Sequence, residues 1–273
     1  SGNFDATVSE EYAKYSLNAI TKMTTTSSNY DLYKKILMTI LRREEYKTFF
    51  ENQEDDTEKL IHAMADFVDA NDSINEFDKV ERGREDSIYD DIKYKIKNAA
   101  FLTLSELRLV HGMSDDIYES LKDIVTVYHT SDKINVCLAD ERIVDALIVH
   151  YTNYAECTTP IKEDDVERIE ELRDIMLSSC PDITAVATAL NVELGLKSES
   201  ETEEEASTAE TKSTSSQVSG CAVQFEKLIT DTNDIFRIQG TGSVNGVNTV
   251  ITVVLNASSS KTSSWKVLYY QVQ

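Results

Sequence analysis

No stretch of about 18 apolar residues occurs in the 273-residue chain, so nothing in it is long enough to cross a bilayer as a helix. The N-terminus has neither a charged leader nor an apolar run behind it, which excludes an intact signal peptide. The opening Ser1-Gly2 reads as a cloning remnant and predicts a targeting or membrane segment upstream. Positive charge is scarce: 27 Lys and Arg against 49 Asp and Glu leave a net charge of -22. Such a surface repels phosphate backbones and anionic lipid headgroups and attracts cations or basic partners. Catalytic signatures are also missing. The four histidines, His62, His111, His129 and His150, lack H-E-x-x-H spacing, and there is no G-x-S-x-G and no Gly-rich phosphate loop. Carboxylate pairs suited to glycoside hydrolysis can be drawn almost anywhere among 49 acidic residues and carry no information.

Four cysteines are present, Cys137, Cys157, Cys180 and Cys221, and none forms the C-x-x-C of zinc or thioredoxin-type chemistry. An oxidising compartment would pair two of them. Cys157 and Cys180 flank one predicted helix and are one available pair, with the other pairings open.

What is there falls into three parts. Phe4 to Ile20 reads as a strand or extended segment leading into a turn. From Asn29 to about Leu196 apolar residues recur at three- and four-residue steps, the helical period. Leu32, Ile36, Leu37, Ile40 and Leu41 make one stripe; Leu60, Ile61, Met64 and Val68 make another, with Thr57 as its expected N-cap. Thr103 and Glu106 form a capping-box pattern, and Ser114 followed by Asp115 and Asp116 starts the next helix with carboxylates at its positive end. Further helices fit Asp140 to His150, Glu163 to Leu177 and Asp182 to Leu194. Lys197 to Ser216 contains no aromatic or large apolar residue and predicts a mobile acidic loop. Beyond it the period becomes two, with Phe236, Ile238 and Val244, an Asn245-Gly246 turn, then Val247 to Leu255, which is a hairpin pattern. Trp265 to Val272 supplies another strand. For one sheet to form, the N-terminal strand must join the C-terminal ones, making the helical block an insertion.

The acidic cluster around Asp69 is the candidate site. Asp69, Asn71 and Asp72 follow a predicted helix, and Glu85 and Asp86 follow Gly83. A hard cation such as calcium takes about six to eight oxygens, which two acidic segments joined by a loop can supply. The spacing is not that of an EF-hand, since counting from Asp69 puts Ile74 and Val80 where Gly and Glu belong. Composition alone reads the same residues as a solvated acidic loop. Leu104 to Val125 reads as helix, Gly-containing turn and helix. Such helix-hairpin-helix modules present turn amides to DNA phosphate. Here His111, Asp115, Asp116 and Glu119 surround the turn, which favours a packing module over the alternative, a nucleic-acid-binding protein. Asn135 is expected to bond backbone groups at the start of the helix after it.

Four short patterns stand in order along this region: Asp66-Phe67-Val68-Asp69-Ala70-Asn71-Asp72, Gly83-Arg84-Glu85-Asp86-Ser87-Ile88-Tyr89, Ser105-Glu106-Leu107-Arg108-Leu109-Val110-His111-Gly112-Met113 and Ile134-Asn135-Val136-Cys137-Leu138-Ala139. Together they resemble the minor pseudopilin K family of the bacterial type II secretion system, whose patterns run close to D-W-I-D-x-D, G-A-E-D-x-Y, S-E-L-R-x-V-x-G-hydrophobic and I-N-V-N-T-A. The segment Val8 to Ile20 is similar to the family stretch that follows a long N-terminal, membrane-embedded helix. The resemblance implies an α+β fold: a pilin-like subdomain with a small antiparallel sheet (1–20 and 221–273), a large inserted all-α domain (21–196) holding a helix-hairpin-helix or SAM-like module, and an acidic loop (197–220). It implies a non-enzymatic subunit at the tip of the pseudopilus, partnered by minor pseudopilins I and J and also H, with no nucleic acid. The full protein would be anchored in the inner membrane of a Gram-negative bacterium by the missing helix and would face the periplasm. The resemblance also implies calcium on Asp69, Asn71, Asp72, Glu85 and Asp86, with Asn71 standing where the family commonly has Asp and Cys137 where it has a second Asn.

Overall fold

The computed structural model describes residues 2–20, 27–70, 76–77, 80–81, 89, 95–154, 161–162, 164–194, 225 and 228–273. The predicted loop 197–220, Cys157 and Cys221 lie outside them. In chain order, β1 (Gly2–Glu10) and β2 (Tyr15–Ser16) precede α1 (Ser27–Leu41) and α2 (Gln53–Val68). The short strands β3 (Glu76–Phe77) and β4 (Val80–Glu81) follow, then α3 (Asp115–Leu121), β5 (Val125–Thr126), α4 (Glu141–Tyr154), α5 (Val166–Leu177) and α6 (Ile183–Glu193). The chain ends in β6 (Ile235–Val244), β7 (Val247–Asn256) and β8 (Lys266–Val272).

The period-two pattern folds as expected. Asn245 and Gly246 take φ values of 52° and 81°, the left-handed pair that a tight type I′ turn needs, and the turn sets the register Val244↔Val247 between β6 and β7. β1 lies antiparallel to β6 from Gly2↔Val244 to Glu10↔Phe236, giving a four-stranded sheet in the order β1-β6-β7-β8. A strand from the start of the chain thus pairs with one near its end, and the helical block is inserted between them. The chain is an α+β protein.

In the insert, α1 packs on α4 and α2, α4 on α5, and α5 on α6. The predicted stripes supply the core: Ile36, Leu37 and Ile40 from α1, Leu60, Ile61 and Met64 from α2, Ile143 and Leu147 from α4, Leu172 and Met176 from α5, Val186 and Leu190 from α6, all buried. The Thr103/Glu106 capping box closes at both ends, and the Ser114 side chain accepts from the Ile117 amide at 3.2 Å. Val166 is exposed as the first residue of α5.

Two expectations are corrected. Thr57 is not an N-cap but lies buried a turn inside α2, because Asn52 starts the helix and Glu54, Asp55 and Asp56 complement its positive end, Asp56 accepting from the Asn52 amide at 3.0 Å. The disulfide joins Cys137 to Cys180, with Cα atoms 5.7 Å apart, and so Cys157 is not the partner of Cys180. The packing of α5 on α4 returns the end of α5 to the segment that leads into α4, a proximity that spacing along the chain does not report. Tyr15–Ser16 also pairs in parallel with Val125–Thr126, a bridge too short to leave a periodic signal.

Glu11 joins sheet to insert. Its side chain is fully buried, accepts from Arg237 Nε at 2.8 Å and from the Thr126 hydroxyl, and lies 3.5 Å from Lys14 Nζ. Its amide bonds to Ile235 O at 2.8 Å, and its carbonyl is met by His129 Nε2 at 3.1 Å. His129 stacks on Tyr12, and Arg237 lies over the Tyr128 ring. Burial pushes the Glu11 carboxyl up, but Lys14 and Arg237 outweigh burial and hold it below its ordinary value of 4.5. Removing this carboxylate leaves Arg237 and Lys14 buried without it, so Glu11→Ala should cost about 3–5 kcal/mol of unfolding free energy in urea at pH 7. Because the folded value is depressed, that contribution is present above pH 4.5 and is lost as pH falls below it, so wild type and variant should converge in acid. Reducing the Cys137–Cys180 bond, which closes a separation of 43 residues, should lower stability by about 2–5 kcal/mol, read from melting with and without reductant.

Candidate functional site

Of the five predicted calcium ligands, only Asp69 is among the described residues; Asn71, Asp72, Glu85 and Asp86 lie outside them. Asp69 is the C-cap of α2, its amide bonded to Ala65 O at 3.1 Å, and both it and Asp66 are buried. Two carboxylates thereby sit at the negative end of the helix dipole, where a cation is favoured. The full predicted set offers only oxygen donors, the chemistry that suits calcium rather than a softer metal. No group of three His, Cys, Asp or Glu able to hold a metal forms among the described residues.

The later patterns are joined to one another by packing. Tyr89, from the second pattern, is buried, and its hydroxyl accepts from the His111 amide of the third at 2.8 Å while the two rings meet edge to face. Gly112, at φ +84°, makes the turn between the Leu104–Leu109 3₁₀ helix and α3. Arg108 beside that turn is bonded to Asp115 and Glu119, so its charge is taken up internally and carboxylates face outward. Asn135 does not cap the next helix: its side chain reaches Thr232 O at 3.4 Å, its amide bonds Tyr12 O at 2.8 Å, and Asp140 caps α4 instead. The fourth pattern therefore ties the insert to both sheet-bearing ends of the chain.

The sheet presents the surface that sequence reasoning missed. Side chains alternate along a strand, and directly opposed residues share a face, so the register sorts the sheet into two sides. One carries Phe4 and Val8 of β1, Ile238 of β6, Val247 and Ile251 of β7, and Tyr270 and Val272 of β8. The other carries Asp5, Thr7, Gln239, Thr241, Thr252 and Gln271, with Arg237 at its insert end. The apolar side is open: Phe4 is 77% exposed, Val247 70%, Val8 65% and Tyr270 61%. Gly240 lies beneath the Phe4 ring, which a Cβ there would meet at 3.4 Å. A contiguous apolar face of this kind marks an interaction surface. The alternation Phe4, Ala6, Val8 was its sequence signal.

At the insert end this face runs into a cavity of ≈ 540 Å³ between sheet and insert. Glu10, only 7% exposed, lines this cavity. Burial pushes this carboxyl up to about 7, hydrogen bonds from the Tyr12 and Ala13 amides offset part of the push, and Glu11 and Asp234 add to it.

An antiparallel sheet built from both ends of the chain, open on its apolar side and carrying a helical insert, makes an α+β fold. Residues 13–130 match the family described as type II secretion system (T2SS), protein K. A chain in the crystal structure of the GspK-GspI-GspJ complex from the enterotoxigenic Escherichia coli type 2 secretion system superposes with a TM-score of 0.63 at 18% identity, over 100% of this chain and 80% of that one. No curated protein matches. The family match spans less than half of the chain, and the solved chain, at 18% identity, shares its fold.

The raised Glu10 value makes a pH-dependent prediction. Folding takes this carboxyl from 4.5 to about 7, so its ionisation opposes the folded state increasingly as pH rises through that window. Glu10→Gln should therefore stabilise the protein by about 1–3 kcal/mol at pH 8 and by little at about pH 5. An equal effect at both pH values in urea unfolding would contradict the assignment.

Proposed function

We propose that the protein is a minor pseudopilin at the tip of the type II secretion pseudopilus, where it acts with the I and J pseudopilins, and with H, to start assembly of the fibre and so support protein export across the outer membrane. The observation that carries this reading is the open apolar face of the sheet, together with the family match over residues 13–130. The solved relative is a complex of K, I and J proteins, which supports the same partners here. The sheet-bearing part, 1–20 and 221–273, enters the assembly, and the insert, 21–196, projects beyond it. The role is structural and not catalytic. The working location is the periplasm, with the full protein held in the inner membrane by a helix ahead of β1. The acidic character of the helix-hairpin-helix region speaks against nucleic acid.

Calcium belongs to the same proposal. Asp69, Asn71, Asp72, Glu85 and Asp86 would hold it, and the ion would supply charge neutralisation between acidic segments that otherwise repel. What supports this is the all-oxygen donor set and the burial of Asp66 and Asp69 at the negative end of α2. Excess chelator should lower the melting temperature, with calcium restoring it; an unchanged melting temperature would remove the metal from the account.

The partner reading is tested by co-purification with the I and J proteins. Phe4→Glu and Val247→Lys, both on the open face, should leave stability within about 0.5 kcal/mol of wild type yet weaken complex formation tenfold or more. Undiminished assembly by the double variant would refute the role of the face.

A further inference from the structure

The hairpin of β6 and β7 is built on the one Asn-Gly pair of the sequence: every other asparagine, Asn248 and Asn256 of β7 among them, is followed by a residue with a side chain. Asn245 and Gly246 are both exposed, and a Cβ added at Gly246 would meet nothing within 4 Å, so no neighbouring group shelters the turn. The ladder closes between Val244 and Val247, which leaves the Gly246 amide outside it. That rung is the last of the ladder, and such a tip opens far more often than the middle of a sheet. Asn256 is held differently: its Oδ1 accepts from the Ser258 amide at 3.0 Å and from the Ser258 hydroxyl at 2.7 Å. The turn thus has what an intramolecular acyl transfer needs. The Asn245 side-chain amide is the electrophile, the next backbone nitrogen is the nucleophile, and Gly246 has no Cβ to obstruct the approach.

We propose that Asn245 is a self-modification site, at which the turn deamidates through a succinimide and so alters the hairpin that sets the register of β6 on β7. The Gly246 nitrogen attacks Asn245 Cγ and a new N–Cγ bond forms. The side-chain nitrogen leaves as ammonia, taking up the proton that the Gly246 amide gives up. Water then opens the five-membered ring at one of its two carbonyls. Attack at Cγ breaks the new bond and leaves aspartate; attack at the Asn245 backbone carbonyl breaks the original peptide bond and leaves isoaspartate, with the chain running through Cβ and Cγ. The reaction consumes one water, releases one ammonia and needs no oxidant or reductant. Its two products differ in consequence. Aspartate keeps the turn, since Asp-Gly also suits type I′ geometry, and puts a carboxylate into 235–273, a stretch that holds Arg237, Lys261 and Lys266 but no Asp or Glu. Isoaspartate lengthens the backbone between Val244 and Val247 by one atom, so the two-residue turn no longer fits the ladder it closes.

The test incubates the full chain at pH 8 and at pH 6. Tandem mass spectrometry follows the tryptic peptide that holds Asn245, Asn248 and Asn256, and an isoaspartyl methyltransferase reports isoaspartate by methyl transfer. Conversion at Asn245 should run at least tenfold faster than at Asn248 or Asn256. It should also be faster at pH 8 than at pH 6, because the attacking nitrogen must lose its proton. In NMR the isoaspartyl chain should lose the cross-strand contact between Val244 and Val247, whereas fresh Asn245→Asp chain should keep it. Conversion no faster at Asn245 than at the other two asparagines, no methyl-accepting isoaspartate, or an isoaspartyl chain that keeps the contact would each overturn the proposal. So would loss of the contact in fresh Asn245→Asp, which would assign the change to the new charge and not to the added backbone atom. None of these readouts involves a partner protein, so their failure leaves the assembly reading untouched.

Discussion

The buried carboxylate of Glu11 is the constraint on which the arrangement of the molecule depends. It sits where β1 leaves the sheet, and it is held by Arg237 from β6, Thr126 from β5 and Lys14 from its own turn. Sheet and insert are thus fixed to each other by one ionic cluster whose members come from three distant parts of the sequence. A buried ion pair is weak evidence for net stability, because desolvation offsets much of the attraction. Its contribution here is specificity of placement: an unpaired Glu11 or Arg237 is so unfavourable that only the geometry bringing them together is tolerated. The parallel bridge of β2 to β5 and the stacked Tyr12 and His129 surround the cluster and keep water from it.

Local rules explain most of what the sequence made legible. The Asn245-Gly246 turn, the Thr103/Glu106 box and the Ser114 cap are interactions within a few residues, and each formed as the pattern predicted. The core stripes of α1, α2, α4 and α6 followed from the helical period. What sequence did not disclose is non-local. Thr57 lost its cap because a better start lay five residues earlier, at Asn52. Cys180 found Cys137 through helix packing, and Asn135 was drawn to Thr232, 97 positions away, instead of the neighbouring helix. The candidate sites divide in the same way. The acidic patterns were visible as composition and order, and Asp69 is where they predict, at the end of α2. The apolar face required knowing which strands pair and in what register before Phe4, Val247 and Tyr270 could be put on one side.

The two halves of the molecule are finished differently. In the insert the stripes of α1, α2, α4, α5 and α6 close a core, and Arg108, Arg142 and Arg173 are bonded to the insert's own carboxylates. The sheet leaves its apolar side open, from Phe4 and Val8 to Tyr270.

The pairing of β1 with β6 also bears on the order of events in making the protein. Its first strand has no partner until residues 235–244 have been produced, and the intervening insert can fold around contacts that are largely its own. Closing so long a loop is slow compared with forming helices. The edge of β1 and the apolar residues it carries therefore remain uncovered for most of synthesis, and the chain completes the apolar face of its sheet only in its last step. An incompletely translated copy would lack the paired sheet and its apolar face altogether.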